Sequence, residues 1–344
     1  MKHTILFLLG ILPAACILGF GKNVLAATAH PIAAQPKIGF VLSTLQEERY
    51  IKDQKYFVDE ARKVGFKPIV VSADNNPQTQ TAKVENLLSE GVKALVIQPV
   101  NSNAATNLVR MAHDDNVPVV AYDRVITNAP IDFYVTENAF KIGVLQAEAA
   151  VKATHGKGNY VLVLGQAGHN IANEITRGYH SVLSKYPDIH IVVEKNHENW
   201  SPSLALATVE NALARYNNNI QAVLCNNSGM ANAAVQALNE QKLAGKVFVA
   251  GADADVAAIK NIVAGKQQVD VMQDIQKMAR DSADIAYKLA LKQKVALNDD
   301  IVEYKNGRFE VPMDAVPVYL INKKNLNKRI FKTGFHTRAE IYGH

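Results

Sequence analysis

Nine short apolar runs recur along the chain after residue 36, among them "KIGFVLS", "ALVIQPV", "VPVVAYD", "NYVLVLG", "AVLCNN", "KVFVAGAD" and "QVDVMQD". Their β-branched, nearly unbroken character predicts strands buried on both faces. Amphipathic stretches of helical length lie between most of them, such as "TQTAKVENLLSEG" and "SLALATVENALARY". Strands alternating with helices predict a parallel sheet covered on both sides by helices. Nine runs exceed one comfortable small sheet, and they fall into two similar groups.

The grouping is visible as a repeat. "PQTQTAKVENLL" (77–88) aligns without gaps to "PSLALATVENAL" (202–213); both begin with Pro and share A-x-V-E-N-x-L. Each is followed by a strand, a further helix and a strand that ends in Asp, at Asp123 and Asp253. The matching order predicts a duplicated α/β unit and hence two doubly wound lobes. Ligands of open parallel sheets bind beyond the carboxyl ends of the strands. Two such sheets facing each other place Asp123 and Asp253 on opposite walls of one cleft.

The residues at these strand ends suit a hydroxylated guest. A carboxylate accepts from two neighbouring hydroxyls at once, and Arg124 offers a planar fork of donors. A helix cap and surface ion pair is the competing reading of Asp123 and Arg124, and Asp255 is the expected cap of the helix after Asp253. Trp200, the single tryptophan, precedes a Ser-Pro helix start. It is either a packing residue there or an aromatic face for a pyranose; its repeat partner is Asn75. Arg49 and Tyr50, in "TLQEERYIKD", follow the first strand. Asn170, Asn173 and Asn227 follow later strands and carry both donor and acceptor.

Composition narrows the class. The chain has 344 residues, 48% hydrophobic, 20% charged, and a net charge of +5 with the two signs interleaved. That is ordinary for a soluble globular protein with two domains, and no basic block or basic-aromatic stripe points to nucleic acid. The first 29 residues, with Lys2 and His3 before "ILFLLGILPAACILGF" and "NVLAATA" after it, read as an export signal cleaved near 26–29. Pro13 speaks against lipidation at Cys16. Removal of the signal leaves Cys225 alone, without an intrachain disulfide. Walker, G-x-S-x-G, H-E-x-x-H and G-x-G-x-x-G motifs are absent, and the histidines lack metal-ligand spacing. No cofactor and no metal are expected.

"KIGFVLSTLQEERYIKD", "VVAYDRVITNAPIDFYV", "AVLCNNSGMANAAVQAL", "VAGADADVAAIKNIVAGK" and "KTGFHT" together resemble the periplasmic D-xylose-binding proteins of bacterial ABC importers, over about residues 36 to 338. The resemblance implies the type I periplasmic binding protein fold: two lobes joined by a three-segment hinge, in a monomer that is not an enzyme. It implies a monosaccharide ligand, D-xylose or a related pentose or hexose, a membrane permease as partner, and in some members a chemoreceptor. By position, Arg49, Asp123, Arg124, Asn227 and Asp253 hydrogen-bond the sugar, and Tyr50 and Trp200 sandwich its ring. Asn170 or Asn173 matches the family's paired Asn. Tyr50 stands where the family has Trp, Ser228 where it has Asp, and Gln273 where it has a ligand-contacting Lys. The paired Asn is broken up as "HNIAN". These departures leave the sugar open.

The expected organisation is 36–138 plus 275–305 for the first lobe and 139–274 plus 306–330 for the second. A tail of 331–344 follows, and crossovers fall near 136–141, 273–276 and 300–312. Competing functions are binding of another small sugar or sugar-derived signal, and a secreted sugar-modifying enzyme working through Asp123 and Asp253.

Overall fold

The computed structural model describes residues 35–296 and 301–343; the export signal and Cys16 lie outside them. The first half runs β1 (Lys37–Leu42), α1 (Glu48–Val64), β2 (Lys67–Ser72), α2 (Pro77–Ser89), β3 (Ala94–Ile97), α3 (Thr106–Asp114), β4 (Val119–Tyr122) and β5 (Phe133–Glu137). The second continues with α4 (Ala139–Thr154), β6 (Gly158–Leu164), α5 (Asn170–Leu183), β7 (Ile189–Asn196), α6 (Pro202–Arg215), β8 (Ala222–Cys225), α7 (Ser228–Glu240), β9 (Phe248–Ala252), α8 (Val256–Val263) and β10 (Val269–Gln273). Then come α9 (Ile275–Ala290), β11 (Ile301–Asn306), β12 (Phe309–Val316), β13 (Val318–Ile321) and α10 (Arg338–Tyr342).

The strands form two sheets, ordered β11-β12-β5-β4-β3-β1-β2 and β13-β10-β9-β8-β6-β7. Each contains the same parallel unit, β2-β1-β3-β4-β5 in one and β7-β6-β8-β9-β10 in the other, so the doubly wound architecture occurs twice. β3, β4, β8, β9 and β10 are buried along their whole length, as strands covered on both faces must be. α4 follows β5 but packs against α5 and β9 of the second sheet, and α9 follows β10 but packs against α1 and β3 of the first. The chain therefore changes sheets between Glu137 and Ala139 and between Gln273 and Ile275, within the expected crossovers.

The third crossover corrects the expectation. β11 and β12 form an antiparallel hairpin whose β12 pairs in parallel with β5. Residues 306–316 thus belong with the first sheet, and the chain crosses at Pro317 rather than within 300–312. β13 then pairs antiparallel with β10.

The duplication reaches the backbone dihedrals. α2 and α6 both begin with Pro after a capping residue, Asn76 accepting from Thr79 N–H and Ser201 from Leu204 N–H. The two residues before each cap are left-handed, Asp74 and Asn75 at φ 50° and 57°, Asn199 and Trp200 at φ 52° and 54°. Asp123 and Asp253 both have positive φ (61° and 104°). Their N–H groups donate to equivalent carbonyls, Val135 on β5 and Val271 on β10. Among non-glycine residues Asn and Asp enter the left-handed region most readily, whereas Trp200 does so at a cost on the order of 1–3 kcal/mol.

Candidate functional site

The carboxyl ends of β1, β4, β5, β7, β8, β9 and β10 converge between the sheets. β1 leads into Glu47, Arg49 and Tyr50; β4 delivers Asp123 and Arg124; β5 ends in Glu137. From the second sheet come Trp200, Asn226, Asn227, Asp253 and Gln273. With Ile171 and Ile175 of α5 these residues line one cavity. Wider hollows of about 1470 and 1580 Å³ open at the opposite, amino ends of the strands. They hold none of these residues, so size does not mark the site here.

Asp123 is the hub of the first wall. Its Oδ2 accepts from Gln98 (2.6 Å) and from the Tyr50 hydroxyl (3.3 Å), and its Oδ1 lies 3.4 Å from Arg49 Nη1. Arg124 Nη2 donates to the Tyr50 hydroxyl and Nη1 to Ser43. Asp53 holds Arg49 Nε at 3.3 Å and accepts from Tyr122 at 2.8 Å. The arginine is thereby fixed before any ligand arrives. Its Nη1 also lies 3.8 Å from Glu137 and 4.0 Å from Asp253, which belongs to the opposite sheet. Asp123 and Arg124 are therefore not a surface pair; both are only 3% exposed.

Burial divides these carboxyls. It pushes Asp123 upward, but the guanidinium groups of Arg49 and Arg124 outweigh it and hold this carboxyl below the usual range. Asp53 is raised to about 6 by burial, against the pull of Arg49. Glu137 is driven well above the ordinary value by burial and then by the Asp123 carboxylate beside it. Asp253 is raised well above its own by burial, with Arg49 opposing. Asp253 accepts from Gln273 Nε2 at 2.9 Å.

Several buried polar atoms here have no hydrogen-bond partner among the described residues: Arg49 Nη2, both oxygens of Glu137, Gln273 Oε1 and Glu47 Oε2. Such atoms are costly, about 1–3 kcal/mol each, and their concentration at one cavity distinguishes it from a merely polar core. Asn227 caps α7, its Oδ1 accepting from Met230 N–H at 2.9 Å. The same residue also lines the cavity.

Trp200 supplies the apolar wall. It is 8% exposed and packs on Gly165, where a Cβ would come within 2.4–2.6 Å of three indole carbons. Its Nε1–H donates to His169 Nδ1 (3.1 Å), and His169 Nε2–H donates to the Val100 carbonyl of the first wall (2.9 Å). These roles fix the neutral tautomer, and burial holds the His169 pKa down to about 4.

Eight of the ten expected ligand residues meet here: Arg49, Tyr50, Asp123, Arg124, Trp200, Asn227, Asp253 and Gln273. Asn170 and Asn173 do not. They line a neighbouring hollow with Tyr134 and Tyr304, and Asn170 is spent on bonds to Val125 N–H and the Tyr134 hydroxyl. It sits at the first position of α5, whose axis carries it to the rim and leaves Ile171 and Ile175 facing inward. Glu47, Glu137 and Asn226 line the cavity without having been expected. Glu137 had a signal: "TEN" before α4 matches "MQD" before α9, so Glu137 is the repeat partner of Gln273. Asp255 stands at the N-cap of α8 but makes no capping bond; Glu48 of α1 accepts from Val256 N–H instead, at 3.0 Å. Among the described residues no group of His, Cys, Asp and Glu is placed to hold a metal ion.

Residues 38–294 match the family described as "Periplasmic binding protein domain". The chain is similar to a D-xylose-binding periplasmic protein of Haemophilus influenzae, 37% identical over 323 residues, 93% of this chain and 96% of the relative. A protein of the same name from Escherichia coli is 38% identical over 312 residues, 90% and 93% of the two chains. Among solved structures, an ABC transporter solute-binding protein from Bacillus halodurans with bound myo-inositol superposes with a TM-score of 0.77 at 26% identity, over 87% of this chain and 98% of that one. One from Clostridium phytofermentans with bound β-D-glucose gives 0.81 at 24% identity over 89% and 99%, and shows the common fold.

Proposed function

Because this chain belongs to the periplasmic binding proteins, we propose that it captures a monosaccharide in the cavity between its two sheets and delivers it to the membrane permease of an ABC importer. The observation that carries this reading is the set of unpartnered buried donors and acceptors around Arg49, Glu137 and Gln273, facing an indole. A sugar ring presents hydroxyls at its edge and C–H groups on its faces, and both halves of that description have a counterpart in the cavity.

In this reading Arg49, Asp123, Arg124, Asn227, Asp253 and Gln273 bind hydroxyls, while Tyr50 and Trp200 pack against the ring. When the halves are apart, water serves each of these groups. Closure about the three crossovers expels that water, so a hydroxyl in the wrong orientation leaves a buried group unpaired at about 1–3 kcal/mol. The ligand thereby selects the closed form, and the closed surface is what a permease recognises. D-Xylose and related aldopentoses and hexoses are the first candidates, since the relatives named above carry the D-xylose name. The protein acts as a binder and not as an enzyme, in the periplasm, as a monomer; a chemoreceptor is a second partner for the same closed surface.

A thermal-shift screen of neutral monosaccharides against the purified protein tests this. A ligand that binds only the folded form raises the melting temperature, by several degrees at a concentration about a hundredfold above Kd. If no pentose, hexose or cyclitol moves the transition, the monosaccharide reading fails.

A further inference from the structure

The cavity holds more carboxyl groups than its fixed cations can match. Arg49 and Arg124 are the guanidinium groups that line it, and Asp53 and Asp123 lie against them with good hydrogen bonds. Besides Glu47, Glu137 and Asp253 are left over. Each lies within 4.0 Å of Arg49 Nη1, whose charge is already matched by Asp53 and Asp123. Asp253 has the neutral Gln273 beside it. Glu137 is 3% exposed, and neither of its oxygens accepts a hydrogen bond from a protein donor. Glu137 and Asp253, from opposite sheets, thus both line the cavity and both lie within 4.0 Å of one atom, Arg49 Nη1. A buried carboxylate must find a proton or a cationic partner, and an ammonium carried by the ligand is such a partner, with three donors.

Building on the monosaccharide reading, we propose that the preferred ligand carries a protonated amine: an amino sugar or aminated cyclitol whose ammonium is received by Glu137 and Asp253. The ammonium supplies Glu137 with the donor that it lacks among the described residues, and the hydroxyls keep the partners assigned above. Glu137 is then the residue that sets ligand class, whereas Arg49 and Asp123 recognise hydroxyls common to charged and neutral rings.

Calorimetric titration of the full chain at neutral pH with matched pairs tests this: D-glucose against D-glucosamine, D-galactose against D-galactosamine, and myo-inositol against a monoamino-deoxyinositol. N-acetyl-D-glucosamine is the uncharged control. The expected result is that at least one ammonium-bearing member binds about tenfold or more tightly than its neutral partner, and that Glu137→Gln reduces that preference below about threefold. Melting curves of the variant establish that it is folded. If neutral sugars bind and no amine binds more tightly than its partner, this inference is overturned and the monosaccharide reading stands. An amine preference that survives Glu137→Gln overturns the role given to Glu137. Absence of binding by every member of both classes overturns both readings together.

Discussion

At the scale of the residue, the site rests on side chains held in backbone conformations that they do not favour. Asp253 at φ 104° and Trp200 at φ 54° are kept there by the strand and helix ends on either side. Trp200 depends on one further position. Gly165 leaves the space on which the indole lies, and a methyl group there would collide with three ring carbons. Gly165→Ala is therefore expected to tilt the indole off its seat and weaken ligand binding about tenfold, the lower end of the 1–3 kcal/mol typical of an overpacked contact. Titration calorimetry alongside tryptophan emission checks it, and an unchanged affinity would remove the indole from the binding wall. Asp123, Asp253 and their arginines were legible in the sequence because charge at the end of an apolar run is conspicuous. Glu137 was legible only through the repeat, since "TEN" by itself reads as an ordinary helix start. Asn170 misled for a related reason: a loop Asn after a strand carries no sign of whether its amide turns toward the cavity or clasps the rim.

At the scale of the element, the nine apolar runs correspond to β1 to β4 and β6 to β10, and what they missed were β5, β11, β12 and β13. The first five residues of β11 are all partly or fully exposed, so it lacks the buried-run signature. Its turn was nevertheless readable: Gly307-Arg308, with Gly307 at φ 66° in the first loop position, closes the two-residue hairpin on which β12 depends. The short connection around His169 couples two elements that belong to opposite walls. His169 Nδ1 accepts from Trp200 and Nε2–H donates to Val100, so only the neutral ring completes the clasp. Burial first, then Arg124, hold its pKa at about 4 against an ordinary 6.5, with Asp123 opposing. A pKa depressed in the closed form means that closure is fully supported above pH 6.5, and that this support is lost as pH falls from 6.5 through 4. Gln at this position supplies an acceptor and a donor without titrating. Between about pH 7 and pH 5, wild-type affinity is expected to fall by up to about tenfold more than that of His169→Gln. Parallel falls in the two proteins would exclude this histidine as the cause.

At the scale of the whole molecule, the proposed function is a change in the distance between two halves that, among the described residues, share three crossovers, at 137–139, 273–275 and Pro317. In this structure they are clasped shut on two sides of the cavity. On one side lie the His169–Val100 and Asn170–Val125 bonds. On the other, Glu48 of α1 accepts from Val256 N–H at the start of α8 and pairs with Lys52 at 3.1 Å. Lys52 Nζ in turn lies 3.0 Å from His336 Nδ1, and His336 Nε2–H donates to the Ala254 carbonyl at 2.7 Å. The segment "KTGFHT" is thus drawn into the second clasp, which accounts for a tail motif far in sequence from every cavity residue. Glu48 does not line the cavity, so its contribution is to how long the closed form lasts rather than to what it recognises. A carboxylate on a helix N-terminus is worth about 0.3–1 kcal/mol at a partly exposed site, and its hydrogen bond adds a similar amount. Glu48→Ala should then speed ligand release roughly three- to tenfold while association changes less than about twofold, because encounter occurs with the halves apart. Stopped-flow fluorescence of the single tryptophan measures both rates in one experiment. If Glu48→Ala slowed association and left release untouched, the rim contact would act on the encounter, and closure would not be the step that retains the ligand.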